Sequence, residues 1–182
     1  MSKRARHLPG DPSAIEDVQR MIRVDHAGEY GAARIYEGQL AVLGRSAAAP
    51  VIRRMAEQEK RHLAAFDRLV VDRRVRPTLL SPLWHVAGFA LGAATALLGE
   101  RAAMACTVAV EEVIDEHYRE QVDRLGKDEP ALSAAITEFR AQEIEHRDTG
   151  LAHGAEAAVA YPALSAAIKA GSRLAIWLST RL

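Results

Sequence analysis

The chain has 182 residues, 49% of them hydrophobic, enough to bury one sizeable core. Its 24 basic and 24 acidic residues balance, so no cationic excess marks it for nucleic acid. A single cysteine, Cys106, excludes an internal disulfide framework and reads as a small core residue, and the low aromatic content with abundant Ala and Leu favours helix packing.

Met1 to Gly10 is basic, lacks the apolar run of a secretory signal and reads as a loose tail. Asp11-Pro12-Ser13 signals a helix start, with Pro12 suited to the first turn, and that helix runs to about Gly44. A second spans about Ala48 to Arg74, after the break at Pro50, and ends before Pro77. A third covers about Pro82 to Leu98, a fourth Arg101 to Leu125, a fifth Pro130 to Ala155 and a last Pro162 to Leu182. No strand-like alternation persists anywhere. The pattern predicts one all-α domain over 11–182: a first hairpin (11–76), an apolar connection (77–99), a second hairpin (100–155) and an amphipathic C-terminal helix (162–182).

Within this frame one arrangement occurs twice. Glu29 is followed by Glu59-x-x-His62, and Glu111 by Glu143-x-x-His146, so the lone Glu precedes its motif by 30 residues (29 to 59) and then by 32 (111 to 143). A lone Glu plus a Glu-x-x-His from each hairpin is the ligand set that a ferritin-like four-helix bundle, with its long crossover, supplies to a pair of metal ions. Phasing carries more weight than the motif matches themselves. On the first helix Ile15, Val18, Ile22, Glu29, Tyr36, Leu40 and Leu43 share one apolar stripe. The other stripes run through Met55, Glu59, His62 and Phe66, then Val108, Glu111, Ile114 and Tyr118, then Ile136, Phe139, Glu143 and His146. Each of the four helices thus puts a carboxylate in the middle of its dry face. Buried carboxylates are costly unless paired or metal-bound, and no Lys or Arg shares these stripes. Four carboxylates and two imidazoles suit two iron or manganese ions better than a structural zinc.

The uncharged stretch from Pro77 to Gly99 is long enough to raise the question of a membrane span. A single crossing there would separate the two halves of the ligand set, so the stretch is expected to lie along the bundle as its crossover. In the last helix Leu164, Ile168, Leu174, Trp177, Leu178 and Leu182 are apolar while Lys169, Arg173 and Arg181 are basic, the composition of a membrane-surface element.

Several runs carry a family resemblance. Arg23-Val24-Asp25-His26-Ala27-Gly28-Glu29-Tyr30-Gly31-Ala32, Glu57-Gln58-Glu59-Lys60-Arg61-His62, Arg74-Val75-Arg76-Pro77-Thr78 and Pro82-Leu83-Trp84 resemble the demethoxyubiquinone hydroxylase family. So do Gly88-Phe89-Ala90-Leu91-Gly92, Ala105-Cys106-Thr107-Val108-Ala109-Val110-Glu111-Glu112 and Ala170-Gly171. Those proteins are membrane-associated di-iron monooxygenases of ubiquinone biosynthesis. Ala33 and Asp115-Glu116 depart from the pattern without touching a proposed ligand.

The resemblance implies that Glu29, Glu59, His62, Glu111, Glu143 and His146 hold two Fe ions, with Glu59 and Glu143 the expected bridges. Glu112 and Glu145 point off the ligand faces. It implies a prenylated demethoxyquinol and O2 as substrates, with two electrons from NADH or from the quinol. A membrane surface, a lipid-presenting partner protein and a homo-oligomer are the implied partners. Peripheral attachment on the cytoplasmic side of a bacterial inner membrane is expected, the alternative being the matrix side of a mitochondrial inner membrane. Tyr118, seven residues after Glu111, should face the cavity with His117 beside it, as a proton or electron relay. His26 is placed to hydrogen-bond Glu29 or to sit at the surface, His153 is expected at the end of the bundle, and Asp25 or Asp148 is placed to accept from a ligand imidazole. His7 and His85 are bystanders. Two other classes compete: a ferroxidase or iron-storage protein with nearly the same ligands, and a lipid-binding scaffold, which leaves the buried carboxylates without cause.

Overall fold

The structure is a computed structural model that describes residues 12–182. The expectations for the Met1–Gly10 tail, for Asp11 and for His7 lie outside the described residues. The elements are α1 (Ala14–Leu43), α2 (Ala49–Asp72), α3 (Ser81–Leu97), α4 (Glu100–Leu125), α5 (Pro130–Ala152), a 3₁₀ turn (Ala155–Ala157) and α6 (Tyr161–Ser179). The described residues contain no strand, and the chain is an all-α bundle, as its patterning requires.

Local signals set the ends. Ser13, rather than Pro12, begins α1: its hydroxyl accepts from the Glu16 amide at 3.3 Å while Glu16 Oε2 accepts from the Ser13 amide at 2.8 Å. This reciprocal cap satisfies two amides that the first turn leaves free, and it leaves Pro12 just outside the helix. Pro50 and Pro130 stand in the first turns of α2 and α5, where a missing N–H costs nothing. The α3–α4 junction is only Leu98 and Gly99, and it turns at Gly99 with φ of 105°, a conformation that side-chain-bearing residues rarely adopt.

The α1/α2 and α4/α5 hairpins form the bundle, α3 packs along α1, and α6 packs on α4. Approach of α3 to α1 is close enough that backbone meets backbone: a Cβ on Gly88 would lie 2.8 Å from the Gly31 carbonyl oxygen. The crossover therefore lies against the bundle, and no helix among the described residues is long and apolar enough to cross a membrane. Two apolar layers fill the interior, one around Tyr36, Ile52, Met55, Met104 and Val108, the other around Ile22, Phe66, Tyr118, Leu132 and Ile136. The predicted stripes are buried or half-buried with one exception: Ile15, in the first turn of α1, is 73% exposed.

Candidate metal centre

Between the two apolar layers lies a polar one. Glu29 from α1, Glu59 and His62 from α2, Glu111 from α4, and Glu143 and His146 from α5 are all buried. They assemble into two overlapping groups, Glu29–Glu59–His62–Glu143 and Glu59–Glu111–Glu143–His146, each with ligand atoms within 4.8 Å of one another. Glu59 and Glu143 belong to both groups, the position a bridging carboxylate must occupy. Glu112 and Glu145 stay outside: Glu112 pairs with Lys169 of α6, and Glu145 is exposed.

The hydrogen bonds around the cluster cross from one half to the other. Tyr36 of α1 donates to Glu111 Oε1 at 3.0 Å, and Tyr118 of α4 donates to Glu29 Oε1. His62 Nε2 lies 2.9 Å from Gln142 Oε1, and His146 Nε2 lies 3.1 Å from Gln58 Oε1. The inner ring nitrogens face carboxylates, His62 Nδ1 lying 2.9 Å from Glu143 Oε1 and His146 Nδ1 3.0 Å from Glu59 Oε1. These inner approaches are short yet misaligned for hydrogen bonding, and Glu29 Oε2, Glu59 Oε1, Glu143 Oε2 and both Nδ1 atoms are left without a hydrogen-bond partner.

Electrostatics follow from packing four acids together away from water. Burial, then repulsion from Glu143, pushes Glu59 and Glu111 well above the usual carboxylate range, and Glu29 is raised chiefly by burial. Glu143 goes the other way, to about 2, because contacts with His146 and His62 outweigh its burial. Burial alone would lower the imidazoles, but contacts with Glu143 and Glu29 lift His62 to about 11, and contacts with Glu143 and Glu59 lift His146 to about 10. With protons as the only positive charges, the cluster can ionise only in part.

The donor set fits a metal pair. Four carboxylates carry four negative charges, which two divalent cations neutralise, and the orphaned inner lone pairs are aimed at the space that those cations would take. Carboxylate oxygens with one imidazole per site suit iron or manganese.

Other predicted residues are placed as follows. Tyr118 sits in the cluster, its hydroxyl committed to Glu29. His117 does not; its Nε2 faces Asp25 Oδ1 at 3.2 Å, and Gln121 donates to the same oxygen at 2.7 Å. Asp25 is therefore occupied away from the ligand imidazoles, and Asp148 pairs with Arg147. His26 pairs with Asp67 at 3.0 Å rather than with Glu29, because it points out of the α1 stripe. His85 meets the Tyr30 hydroxyl at 2.6 Å, and His153 is exposed at the end of α5. Cys106 is fully buried, and burial pushes its thiol up to about 12. Tyr36, Gln58 and Gln142 are contacts that the stripe argument missed. Their signal is in the sequence: each half carries Glu-x₆-Tyr and Gln-Glu-x-x-His.

Beside the cluster an apolar cavity of about 590 Å³ runs between α1, α3, α4 and α6. Gly28, next to Glu29, and Val110, next to Glu111, form part of its wall, with Ile35, Leu91, Leu164 and Ile176 further along. Its volume is in the range of small-molecule sites. Two bands of exposed apolar side chains flank it, Leu83 and Val86 on α3 and Leu174 and Trp177 on α6.

Over 176 residues the chain is 66% identical to a 3-demethoxyubiquinol 3-hydroxylase of Rhodospirillum rubrum, covering 96% of this chain and 83% of that protein. It is 59% identical over 169 residues to a human NADPH-dependent 3-demethoxyubiquinone 3-hydroxylase, mitochondrial, covering 91% and 78%. A Saccharomyces cerevisiae 5-demethoxyubiquinone hydroxylase, mitochondrial, is 41% identical over 182 residues, covering 91% and 78%. The family model described as ubiquinone biosynthesis protein COQ7 matches residues 16–179, nearly the whole chain, and the chain belongs to that family.

Proposed function

We propose that this chain is a di-iron monooxygenase that hydroxylates the ring of a prenylated demethoxyubiquinol, with O2 and two electrons, in ubiquinone biosynthesis. The observation that carries the reading is the pair of overlapping ligand groups sharing Glu59 and Glu143 beside an apolar cavity. The names of the relatives supply the reaction and the substrate class. They do not support the ferroxidase alternative.

Glu29, Glu59, His62, Glu111, Glu143 and His146 would hold two irons, with Glu59 and Glu143 between them. The metal pair supplies activation of O2, chemistry that no side chain offers. The chain's own part is positioning and exclusion. The four Glu carboxylates balance the ions' charge, Tyr36 and Tyr118 hold Glu111 and Glu29 in place, and the apolar layers above and below keep water out. The Tyr118 phenol is pushed well above its ordinary value by burial and by Glu29, so it acts as a fixed donor rather than by losing its proton. His117, linked to Asp25 and about a sixth exposed, is the group better placed to exchange protons with solvent.

The cavity suits the isoprenoid part of the substrate, since its lining is aliphatic and glycine-rich. Exposed Leu83, Val86, Leu174 and Trp177, with Arg181 stacked 4.2 Å over the Trp177 ring, support peripheral seating on a membrane surface. From there a lipid-soluble substrate enters without crossing water. The location we propose is the cytoplasmic side of a bacterial inner membrane, with the matrix side of a mitochondrial inner membrane as the alternative; the human and yeast relatives are mitochondrial by name. The two electrons come from NADH, as the resemblance implies, or from the quinol; the human relative's name carries NADPH.

The test is aerobic turnover of iron-reconstituted protein with NADH or NADPH and a short-chain demethoxyquinone, read by mass spectrometry. A product gaining one ¹⁸O from ¹⁸O₂, and absent in Glu143→Ala, is expected. Protein that holds two irons yet yields no such product in either reductant sinks the reading.

A further inference from the structure

Gln58 and Gln142 are half-buried, neutral, and one residue ahead of the motif glutamates. Neither shares its helix with the imidazole it touches. Gln142 of α5 meets His62 of α2, and Gln58 of α2 meets His146 of α5, although each glutamine also has a histidine four residues on along its own helix. The two amides are joined: Gln58 Nε2 donates to Gln142 Oε1 at 3.3 Å, and Gln142 Nε2 points at Glu138 Oε1 at 3.5 Å.

We propose that Gln58 and Gln142 form a crossed clasp, in which each glutamine sets the tautomer and ring orientation of the metal-facing imidazole on the opposite helix. This rests on the metal-centre reading above and deepens it. An amide oxygen only accepts, so each ring must carry its hydrogen on Nε2 to satisfy it. The amide orientations are themselves fixed. Turning Gln142 over would set its amino group against the Gln58 amino group and against His62 Nε2–H, and its oxygen against the Glu138 carboxylate. With the hydrogen held on Nε2, the Nδ1 lone pair of each neutral ring is free and faces the carboxylate cluster. Both Nδ1 atoms lack an aligned hydrogen-bond partner, as a ligand atom should. Outer partners of metal-bound imidazoles are usually carboxylates or carbonyls, and their loss typically weakens metal binding by about 10- to 100-fold. A neutral amide gives the same alignment without adding a fifth acid to a site that already holds four.

Crossing has a consequence. The α2–α5 pair is tied together at the level of the metal, so one ion position depends on a residue carried by the helix that supplies the other imidazole. Gln142 and Gln58 are thus positioning residues, and their effect should appear on the distant histidine rather than the near one.

The experiment uses Co(II)-substituted full-length protein with ¹⁵N-labelled histidine. Wild type should show two slowly exchanging, paramagnetically shifted imidazole N–H signals. The His62 signal is assigned by its proximity to Phe139, whose ring centroid stands 4.4 Å from that of His62. Gln142→Met should abolish slow exchange at His62, leave His146 intact, and weaken one of two cobalt equivalents by about 10- to 100-fold. Gln58→Met should give the mirror image. Gln142→Glu combined with Glu138→Gln keeps an acceptor for His62 and donors from Gln58 and position 138, without setting two carboxylates face to face, and should retain both signals and tight binding. Loss of the near histidine's signal instead, unchanged signals in both Met variants, or loss of either signal in the Gln142→Glu/Glu138→Gln variant overturns the clasp. Wild-type protein that binds no cobalt overturns the metal-centre reading, and the clasp with it, so the two failures are told apart.

Discussion

The phenol of Tyr36 on α1 donates to Oε1 of Glu111 on α4 at 3.0 Å, and Tyr118 on α4 returns the contact to Glu29 on α1. Each tyrosine stands seven residues after the lone Glu of its own helix and serves the lone Glu of the other. Removing a donor from a buried carboxylate costs about 1–3 kcal/mol, while a Phe keeps the ring's packing. Tyr36→Phe and Tyr118→Phe are each expected to lower the stability of metal-loaded protein by about that much, read from denaturant midpoints at constant slope. A loss in one variant with none in the other would show that the two halves share geometry but not energy.

The overlap of the two ligand groups predicts unequal roles for the four glutamates. Glu59→Gln and Glu143→Gln remove a carboxylate common to both groups and should leave less than one ion per chain after desalting. Glu29→Gln and Glu111→Gln touch one group each and should retain about one. Metal analysis of the four purified variants decides it. Equal losses in all four would argue against Glu59 and Glu143 as bridges.

Metal-free protein, prepared with a chelator, should lose stability as pH rises. His62 and His146 are raised from 6.5 to about 11 and about 10, so between those limits the native state binds more protons than the unfolded chain. Their stabilisation is complete below pH 6.5 and disappears as pH climbs through 10 to 11. Glu29, Glu59 and Glu111, raised mainly by burial, act in the same direction from pH 4.5 upward. Glu143, held at about 2, opposes them only below pH 4.5, where its contribution is lost as pH falls through 2. Thermal midpoints of metal-free protein are therefore expected to fall from pH 6.5 to 10, and metal uptake to release protons into weak buffer. A midpoint that climbs across this window would contradict the assignment.

Much of this was legible in the chain because helical periodicity is rigid. Glu29, Glu59, Glu111 and Glu143 fall on stripes with Ile22, Phe66, Val108 and Ile136, and a 3.6-residue repeat leaves no freedom about which way they point. What was not legible is which residues meet across helices. Asp25 and Asp148 were reasonable partners for the imidazoles by residue type, yet pairing depends on the offset between α2 and α5, which no single-helix pattern contains. The glutamines do fill those places, and the doubled Gln-Glu-x-x-His is a cue only once the halves are known to face each other. Ile15 shows the converse: periodicity says which side a residue faces, not whether a neighbour covers it.

Exposed Leu83 and Trp177, each about half accessible, predict membrane seating that can be removed without touching the core. Wild type should float with vesicles containing anionic lipid, and Leu83→Glu/Trp177→Glu should remain in the bottom fraction while keeping its thermal midpoint. Wild-type protein left wholly in the bottom fraction would argue against a membrane-surface role for α3 and α6.

The α1–α3 crossing gives the sharpest steric prediction. A Cβ on Gly92 would overlap the Ile35 carbonyl oxygen, and one on Gly38 would overlap the Phe89 carbonyl oxygen. Both obstacles are backbone, so no rotamer change relieves them and α3 must lift from α1. Gly92→Ala should cost about 1–3 kcal/mol, as overpacking does. At roughly 2–4 °C per kcal/mol for a chain of this size, the thermal midpoint should drop by several degrees. Gly171, on α6, borders the same cavity but has nothing within 4 Å of an added Cβ. Gly171→Ala should instead stabilise by roughly 0.5–1 kcal/mol, because alanine restricts the unfolded chain and favours the helix. Opposite signs for the same chemical change separate close helix approach from helix propensity. If both variants lose stability, the crowding lies along α6 as well, and the cavity is narrower than 590 Å³ implies.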